Sequence, residues 1–488
     1  MKKVWLGALV FALGVALAAP AMAIDWSATG WIGTIGVVHK NVSSAIWSLG
    51  LTEANGFNDT GSYLRMRSRL KLTARASENL YGVMYFEMNA VRYGSTTGAA
   101  APNSTGAFWG PQTSGRARPD DVEVKELYLD FRVPAITVPI WLRIGRQAFA
   151  IRPNVFLLQE GAGISGRMKI DPVTVYVGWG KIYQGNDYLA DDWDIWMWDI
   201  SAALKPAKVG IFGAYQDFRQ TAPVTPTNPY GVWASSEGTL GLDAGDLHLW
   251  WIGGYVDGKV GPIKGTLDFV YNGGEFDWDS PGATDWDYGG WLVRLVGSYV
   301  WNNWTFGLGF KYASGDDIND FSRDNDVKGY VGPYSEMEDV PRSDLLVMEG
   351  AWNQFMKVGQ GVGMTGFTSG GYWFVRPFVD WQALDWLKLR FQFAYIGDTV
   401  DDGDLLTCQL DPTTGNVKDN DDIGWEIDLG AVINVYKNLR LNLGFGYLIA
   451  GDALDETWQR TDSAGRVVND NESVDDPWMT FAEIVYTF

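Results

Sequence analysis

Apolar and polar side chains alternate along most of this chain, in segments of about ten residues. In residues 64–72 one row is apolar and the other is basic, with Leu64, Met66, Leu70 and Leu72 alternating with Arg65, Arg67, Arg69 and Lys71. Because successive side chains of a β-strand point to opposite faces, such a segment can present one face to lipid and the other to water. The same division recurs in residues 304–312, 387–395 and 425–433.

About eighteen such segments lie between Asp25 and Phe488, and the connections between them alternate between short and long. Tight turns are predicted at Glu78-Asn79, Pro134 to Val138, Asp171-Pro172, Lys205-Pro206, Asp257-Gly258, Trp301 to Asn303, Asp385-Trp386 and Tyr436 to Asn438. Long connections are predicted at residues 39–61, 94–121, 217–244, 315–370, 399–421 and 451–477. Outer-membrane barrels have short periplasmic turns and long outer loops, and their strands are longer than the five or six residues common in soluble sandwiches. We therefore predict an all-β fold, a single transmembrane antiparallel up-and-down β-barrel of about eighteen strands.

The two ends of the chain fit export to an outer membrane. Residues 1–23 combine Lys2 and Lys3 with a short apolar run and an Ala-Met-Ala ending, which predicts a signal peptide and leaves residues 24–488 for the barrel. The last strand carries an apolar row that ends in the aromatic Phe488, and this ending resembles the signal read by barrel assembly machinery. We expect the outer membrane of a Gram-negative-type bacterium, with both termini in the periplasm.

Composition excludes several other functions. The chain has 38 Lys plus Arg against 59 Asp plus Glu, a net charge of -21, which argues against nucleic acid as a partner. The single Cys408 cannot form an internal disulfide, and with two histidines the chain offers no typical metal cluster, so no metal or cofactor is expected. His248 is expected to face the lumen, and the G-x-G-x-x-G match at residues 361–366 is read as chance in a loop.

A barrel of this width leaves a water channel unless loops fill it. The inner face is predicted to hold Arg65, Arg67, Arg69, Lys71, Glu87, Glu126, Asp130, Arg132, Arg143, Arg376, Asp380, Lys388, Arg390, Glu426, Asp428 and Arg440. This wall is modestly basic, so the excess of acidic residues falls in the loops. We predict a mild anion preference at the wall, tuned by acidic loops.

Two features of this wall and its loops have alternative interpretations. Arg65, Arg67 and Arg69 follow each other at about 6.6 Å along one strand and could bind anions in series, or they could pair with inner-face acids and brace the barrel. The same choice applies to the cluster of Arg376, Lys388 and Arg390. The long loop 315–370 contains an apolar stretch at Leu345 to Met348, which predicts that it either folds into the mouth and narrows it or caps the rim.

Residues 126–147 read ELYLDFRVPAITVPIWLRIGRQ, and here the chain resembles the alginate-export type of outer-membrane porin. The resemblance implies passive export or uptake of an anionic polysaccharide or other small solutes through an arginine-lined pore. It carries this role to Arg65, Arg67, Arg69, Arg132 and Arg143. Arg146 has the parity of the outward Leu142 and Ile144, so it extends to the outer interface, lies at a bulge, or marks a register error.

The sequence thus predicts a diffusion channel for small, anionic hydrophilic solutes or oligosaccharides. Acidic loops would repel a large polyanion such as alginate at the mouth. The alternatives are an adhesin or scaffold that uses its loops, and a barrel enzyme such as a protease or lipase, for which histidine is scarce. Expected partners are outer-membrane lipids, small hydrophilic solutes and the barrel assembly machinery; the sequence leaves monomer and trimer open.

Overall fold

A computed structural model describes residues 24–42, 60–88, 122–153, 155–183, 192–220, 245–278, 285–316, 326–333, 344–350, 371–400, 420–454, 456–461, 467–472 and 475–488. The predicted signal peptide, Cys408 and the G-x-G-x-x-G stretch lie outside these residues. So do large parts of the acidic loops, including most of residues 315–370.

Eighteen long strands form one closed antiparallel barrel, as the alternation predicts. They are β1 (Asp25–Lys40), β2 (Thr60–Ser77), β3 (Leu80–Met88), β4 (Val122–Arg132), β5 (Ile140–Ile151), β6 (Leu157–Ile170), β7 (Val173–Tyr183), β8 (Trp193–Leu204), β9 (Ala207–Gln220), β10 (Gly245–Val260), β11 (Ile263–Trp278), β12 (Trp286–Trp301), β13 (Trp304–Ala313), β15 (Tyr372–Leu384), β16 (Leu387–Asp398), β17 (Asp422–Tyr436), β18 (Leu439–Ala450) and β21 (Trp478–Thr487). The last strand pairs with the first, from Trp31↔Thr487 to Lys40↔Trp478, and backbone hydrogen bonds between Gly30 and Phe488 extend this closure.

Five shorter elements of the described residues belong to connections, among them a 3-10 turn at Asp452–Leu454. The two-residue strand β14 (Asp326–Val327) pairs in parallel with β12, and β19 (Glu456–Thr461) pairs with β20 (Val467–Glu472) as a separate hairpin. A single helical turn, α1, spans Leu346–Glu349. Among the described residues, no helix has the length and apolarity needed to cross a membrane.

The tight turns lie at one end of the barrel, called here the turn end, and the other connections lie at the loop end. The predicted turns coincide or overlap with the gaps between strands, except for the one at Asp257-Gly258, which was wrong. These two residues continue the ladder opposite Thr266 and Gly265, and the chain reverses at Gly261, whose φ of 57° favours glycine. Residues 152–156, between β5 and β6, also form a short connection where the alternation predicts a long one.

Two bands of aromatic side chains surround the outer face. Near the loop end, neighbouring strands contribute pairs whose ring centroids lie 4.5–5.7 Å apart, namely Trp196–Tyr215, Trp250–Tyr271, Trp291–Tyr312 and Tyr395–Trp425. Near the turn end, Trp304 stacks on Trp381 at 5.0 Å, and Trp301 is exposed beside them. Trp291 and Trp301 lie ten residues apart on β12, so a strand tilted by about 40° places the bands about 25 Å apart, the height of the apolar band of outer-membrane barrels.

His248 lies in the loop-end band and not in the lumen, so that expectation was wrong. It shares the outward face of β10 with Trp250 and Ile252, which are 42% and 50% exposed. Its ring Nδ1 lies 3.1 Å from the Tyr215 hydroxyl and 3.1 Å from an Asp217 carboxylate oxygen. A polar tip on an otherwise aromatic face suits the boundary between lipid and water.

The interior divides into two sectors. The apolar sector is a cluster of buried side chains from β5–β12, including Phe149, Phe156, Ile195, Phe212, Leu249, Trp251, Val270 and Phe276. The charged sector consists of the inward ionisable side chains of β2–β5 and β12–β17, including Arg67, Glu87, Asp130, Arg143, Arg294, Lys311, Arg376, Asp380, Arg390, Glu426 and Asp428. The inward ionisable side chains are therefore concentrated in the charged sector, apart from the ion pairs that Arg152 makes with Asp257 and Asp268.

Candidate functional site: the charged sector of the barrel interior

The basic row on β2 lies on the inward face and makes ion pairs with a neighbouring strand. Arg65 and Arg67 are buried, and the β2–β3 register places Arg69 opposite Glu87. Glu87 accepts hydrogen bonds from Arg69, and its Oε1 lies 3.6 Å from Arg67 Nε. One buried carboxylate thus contacts two guanidinium groups and helps to hold their side chains in place.

Lys71 continues this row toward the turn end. Its Nζ lies 2.9 Å from Glu126 Oε2 on β4 and 4.5 Å from the centre of the Tyr85 ring. Glu126 faces inward by alternation with Tyr128 and Asp130, and it directly follows a bulge at Lys125, where the pairing with β3 shifts between Tyr85 and Phe86. A bulge changes which residues face the lumen.

A second cluster lies on β4–β6. Arg143 donates to Asp130 from Nε at 3.0 Å and from Nη2 at 2.8 Å, and its guanidinium lies 4.1 Å from the centre of the Tyr128 ring. Arg167 Nη2 approaches the same carboxylate at 3.4 Å. Arg132 is exposed at the turn end of β4 and is not brought into this cluster.

On β15 and β16, Asp380 joins two of the predicted cations. Its Oδ2 lies 2.8 Å from Lys388 Nζ and accepts a hydrogen bond from Arg390 Nη2 at 2.8 Å. A shallow recess lies beside them, lined by Lys388, Arg390, Gly430, Ala431, Val432, Asn442, Leu443 and Phe481. Arg440 is half-buried on β18, two residues before Asn442, which donates to Glu483 at 2.6 Å.

Arg376 does not join that cluster, because it binds a segment of the long loop. The inserted segment, residues 344–350, is buried inside the barrel. Arg376 Nη2 donates to Asp344 Oδ1 at 2.6 Å, and Arg294 on β12 donates to both Asp344 oxygens at 2.8 and 3.0 Å. Burial opposes ionisation of Asp344, but the charges of Arg294 and Arg376 outweigh it and lower the pKa of this carboxyl to about 2.

The other end of the inserted segment is held in the same way. Glu349 Oε1 lies 3.1 Å from Lys311 Nζ and accepts a hydrogen bond from the Tyr372 hydroxyl at 2.8 Å. Gly350 then ends α1 with a left-handed φ of 67° and donates to the Leu346 carbonyl. Both carboxylates of the segment are therefore bound by cations of the barrel wall.

Glu426 and Asp428 hold the backbone of the inserted segment and do not face open space. Glu426 accepts from the N–H groups of Val347 at 2.7 Å and Met348 at 2.9 Å, and Asp428 accepts from Leu346 at 3.3 Å. The first amides of a helical turn lack partners within the helix, so carboxylates stabilise them. Both side chains are buried beneath the segment, so their predicted role as pore lining stays a prediction.

A second part of the long loop, residues 326–333, enters the apolar sector. Trp251 Nε1 donates to the Val331 carbonyl at 2.8 Å, and the Val331 amide donates to Asn272 at 3.2 Å. Tyr330, at 1% exposure, belongs to the same buried cluster. The long loop therefore has described segments in both sectors.

The sequence analysis did not identify Arg152 or Arg294 as functional candidates. Arg152, with a left-handed φ of 46°, donates to Asp257 at 2.8 Å and to Asp268 at 2.6 Å across the interior. The usable signal was Asp268, which alternation places on the inward face of β11 between Thr266 and Val270 and which is completely buried. Because a buried carboxylate requires a partner, it indicated a cation from elsewhere in the chain.

The alternatives for Arg146 are also resolved. It pairs with Leu127 beside the bulge on β4, donates to the Val124 carbonyl at 2.9 Å, and lies 3.4 Å from Glu160 on the neighbouring strand. Gly145 precedes it with a φ of 128°, where a Cβ would lie 2.3 Å from the Leu127 carbonyl oxygen. Arg146 is thus an outward residue beside a bulge, which is the second of the three alternatives, and its position marks no register error. Nowhere in the described ranges do three or more His, Cys, Asp or Glu residues come together as a metal site.

No protein-family model matches the chain, and no curated protein matches it. Solved structures do. OccK9 (OpdG) of Pseudomonas aeruginosa has a TM-score of 0.51 at 11% identity, and a BenF-like porin of Pseudomonas fluorescens Pf-5 has 0.51 at 10%; each alignment covers 95% of this chain and 98% of the other. OpdK of P. aeruginosa, solved with vanillate, has 0.50 at 12% with the same coverage.

The fold is that of an outer-membrane porin barrel. At these identities the likeness concerns the fold alone. None of the three structures is described as an alginate-export porin, so that finer resemblance stays a prediction.

Proposed function

We propose that the chain is a passive channel of the outer membrane for small hydrophilic solutes, with a preference for anions. The observation that carries this proposal is the contrast between the two faces of the barrel, since aromatic bands encircle the outside and ionisable rows line the inside. A wall that offers closely spaced weak sites allows an ion both to bind and to leave.

The proposed water route follows the charged sector. The apolar sector is filled by its own side chains and by residues 326–333, whereas Arg143, Lys388 and Arg390 keep 25%, 36% and 19% of their side chains accessible. The proposed lining comprises Arg65, Arg67, Arg69, Lys71, Glu87, Glu126, Asp130, Arg132, Arg143, Asp380, Lys388, Arg390 and Arg440, with Arg376, Glu426 and Asp428 becoming accessible when the inserted segment leaves. OpdK, solved with vanillate, is a fold neighbour that supports a small carboxylate as solute.

The inserted segment is proposed as the constriction. Its side chains Leu345 to Met348 have no exposed surface, and its polar groups contact β12, β13 and β15–β17 from inside. A loop held by this many wall contacts narrows the route that the charged sector leaves open.

Conductance of the purified mature chain in a planar lipid bilayer tests the proposal. We expect ion currents with a reversal potential on the anion side in a potassium chloride gradient. A deletion of residues 344–350 should increase the unitary conductance. Absence of current from both proteins would contradict a channel and favour a scaffold.

A further inference from the structure

Three cations on neighbouring strands meet at the inserted segment. Arg294 on β12 lies opposite Lys311 on β13 in the register, and Arg376 on β15 lies opposite Gly309, two residues from Lys311. Lys311 and Arg376 are buried, and the Arg294 side chain is 16% exposed. Cations taken out of water in such a group require anions, because their desolvation is otherwise uncompensated.

The anions that contact this group most directly come from the inserted loop. Asp344 binds Arg294 through two parallel hydrogen bonds of 2.8 and 3.0 Å and binds Arg376 at 2.6 Å, while Glu349 binds Lys311. The paired geometry at Arg294 is the one in which a guanidinium holds any carboxylate. A free carboxylate could make the same bonds.

We propose that Asp344 determines the solute specificity of the channel, as a resident carboxylate that a solute carboxylate must replace on Arg294 and Arg376. Replacement releases residues 344–350 from the wall and opens the route. This inference rests on the proposed channel function and adds to it a criterion for which solutes can pass.

The exchange conserves charge for an anion and not for a neutral solute. A carboxylate that takes the place of Asp344 restores the hydrogen bonds to both guanidinium groups, whereas an amide of the same size leaves them without a counter-charge. Hydrogen bonds between charged groups are stronger in free energy than those to a neutral group, by enough to favour the carboxylate over the amide about tenfold to hundredfold. Glu426 and Asp428 lose the segment's amides at the same step and gain water instead.

Chemical labelling follows the release directly. Met348 has no exposed surface, so a Met348→Cys variant, made with Cys408→Ser to remove the native thiol, should react slowly with a maleimide. Saturating succinate should raise that rate at least about tenfold, while succinamide of the same size should leave it unchanged. Ile195→Cys in the same background is the matched control: it is equally buried but lies in the apolar sector, and its rate should not respond.

Two further variants test the role of Asp344 itself. Asp344→Asn should make position 348 reactive without succinate and should raise succinamide entry into proteoliposomes about tenfold. Gly446→Val should displace the inserted segment without removing a charge. A Cβ at this position would lie 2.5 Å from Asp428 Oδ1 and 2.8 Å from Val347 Cγ2, which is too close for the docked segment. Asp380→Asn removes the same charge from the wall and should leave position 348 protected.

The outcomes separate the two proposals. Equal labelling with succinate and succinamide, or labelling that neither solute changes, overturns the role of Asp344 even if succinate enters the liposomes. Succinate-dependent labelling without entry of either solute into liposomes, for the wild type and both opened variants, overturns the channel and leaves a carboxylate site. Succinate-dependent labelling and entry, both made unselective by Asp344→Asn, support the inference.

Discussion

The apolar sector and the charged sector fill the same barrel by different means. In the apolar sector, side chains touch each other directly across the interior, as Phe156 of the connection between β5 and β6 does with Phe212 on β9 at a centroid distance of 4.8 Å. In the charged sector, side chains of the wall form ion pairs, and the inserted segment packs Leu345 to Met348 into a second buried apolar cluster with wall residues such as Tyr372 and Phe374. The difference separates a part that stabilises the barrel from a part that water can enter, and substitutions should affect the two unequally.

The largest loss of stability is expected in the apolar sector. Phe212 is completely buried, so Phe212→Ala leaves a cavity and should lower the free energy of unfolding by about 3–5 kcal/mol. Denaturant unfolding of the detergent-solubilised protein measures it. Phe269→Ala, on the outward face of β11 and 44% exposed, is the control and should cost far less. Equal losses for both would show that the apolar sector is not a packed core.

The next effect concerns the ion pair that crosses the apolar sector. Arg152→Ala leaves Asp268, which has no exposed surface, without the cation that it contacts at 2.6 Å. We expect a loss of about 2–3 kcal/mol in the same unfolding assay, because a buried charge that loses its partner is costly. Arg152→Ala combined with Asp268→Asn should recover part of it. Additive losses in the double variant would contradict coupling between the two side chains.

In the charged sector the expected effect is on selectivity. Replacing Arg65, Arg67 and Arg69 together by Ala removes three cations and leaves Glu87 without two of its partners. The anion-to-cation permeability ratio should therefore fall about twofold to threefold. Reversal potentials in a salt gradient measure it, and Arg132→Ala, exposed at the turn end, should have a smaller effect. The prediction of a basic, anion-preferring wall is refuted if the wild type is strongly cation-selective and the triple variant does not change its permeability ratio.

The smallest effect on the position of the inserted segment is expected from lowering the pH. Since the pKa of Asp344 is lowered to about 2, its ionised form stabilises the docked segment above the ordinary pKa of 3.8, and this contribution is lost as pH falls toward 2. Arg294, Arg376 and Lys311 face it and stay charged over this range. On account of Asp344, labelling at position 348 should stay slow from pH 7 to pH 4. If the inserted segment is released already above pH 5, acidic side chains other than Asp344 hold it in place.

The sequence predicted the barrel because alternation at Leu64 to Leu72 and the turn residues are local signals. It failed at Asp257-Gly258, where two turn-forming residues continue a ladder, and at His248, whose face depends on the register of β10. The wall positions follow from parity, but their partners do not. Asp344 meets Arg294 and Arg376 only because a long loop returns into the barrel, and no period in the chain encodes that contact.

The spacing of the two aromatic bands has a further consequence. At about 25 Å it is less than the roughly 30 Å of hydrocarbon in a typical bilayer. In such a bilayer the barrel meets a hydrophobic mismatch, which lipids relieve by thinning around it at a modest cost per ångström. Short-chain phospholipids should therefore accept the protein more readily than long-chain ones, as suits a membrane that is itself thinner than average.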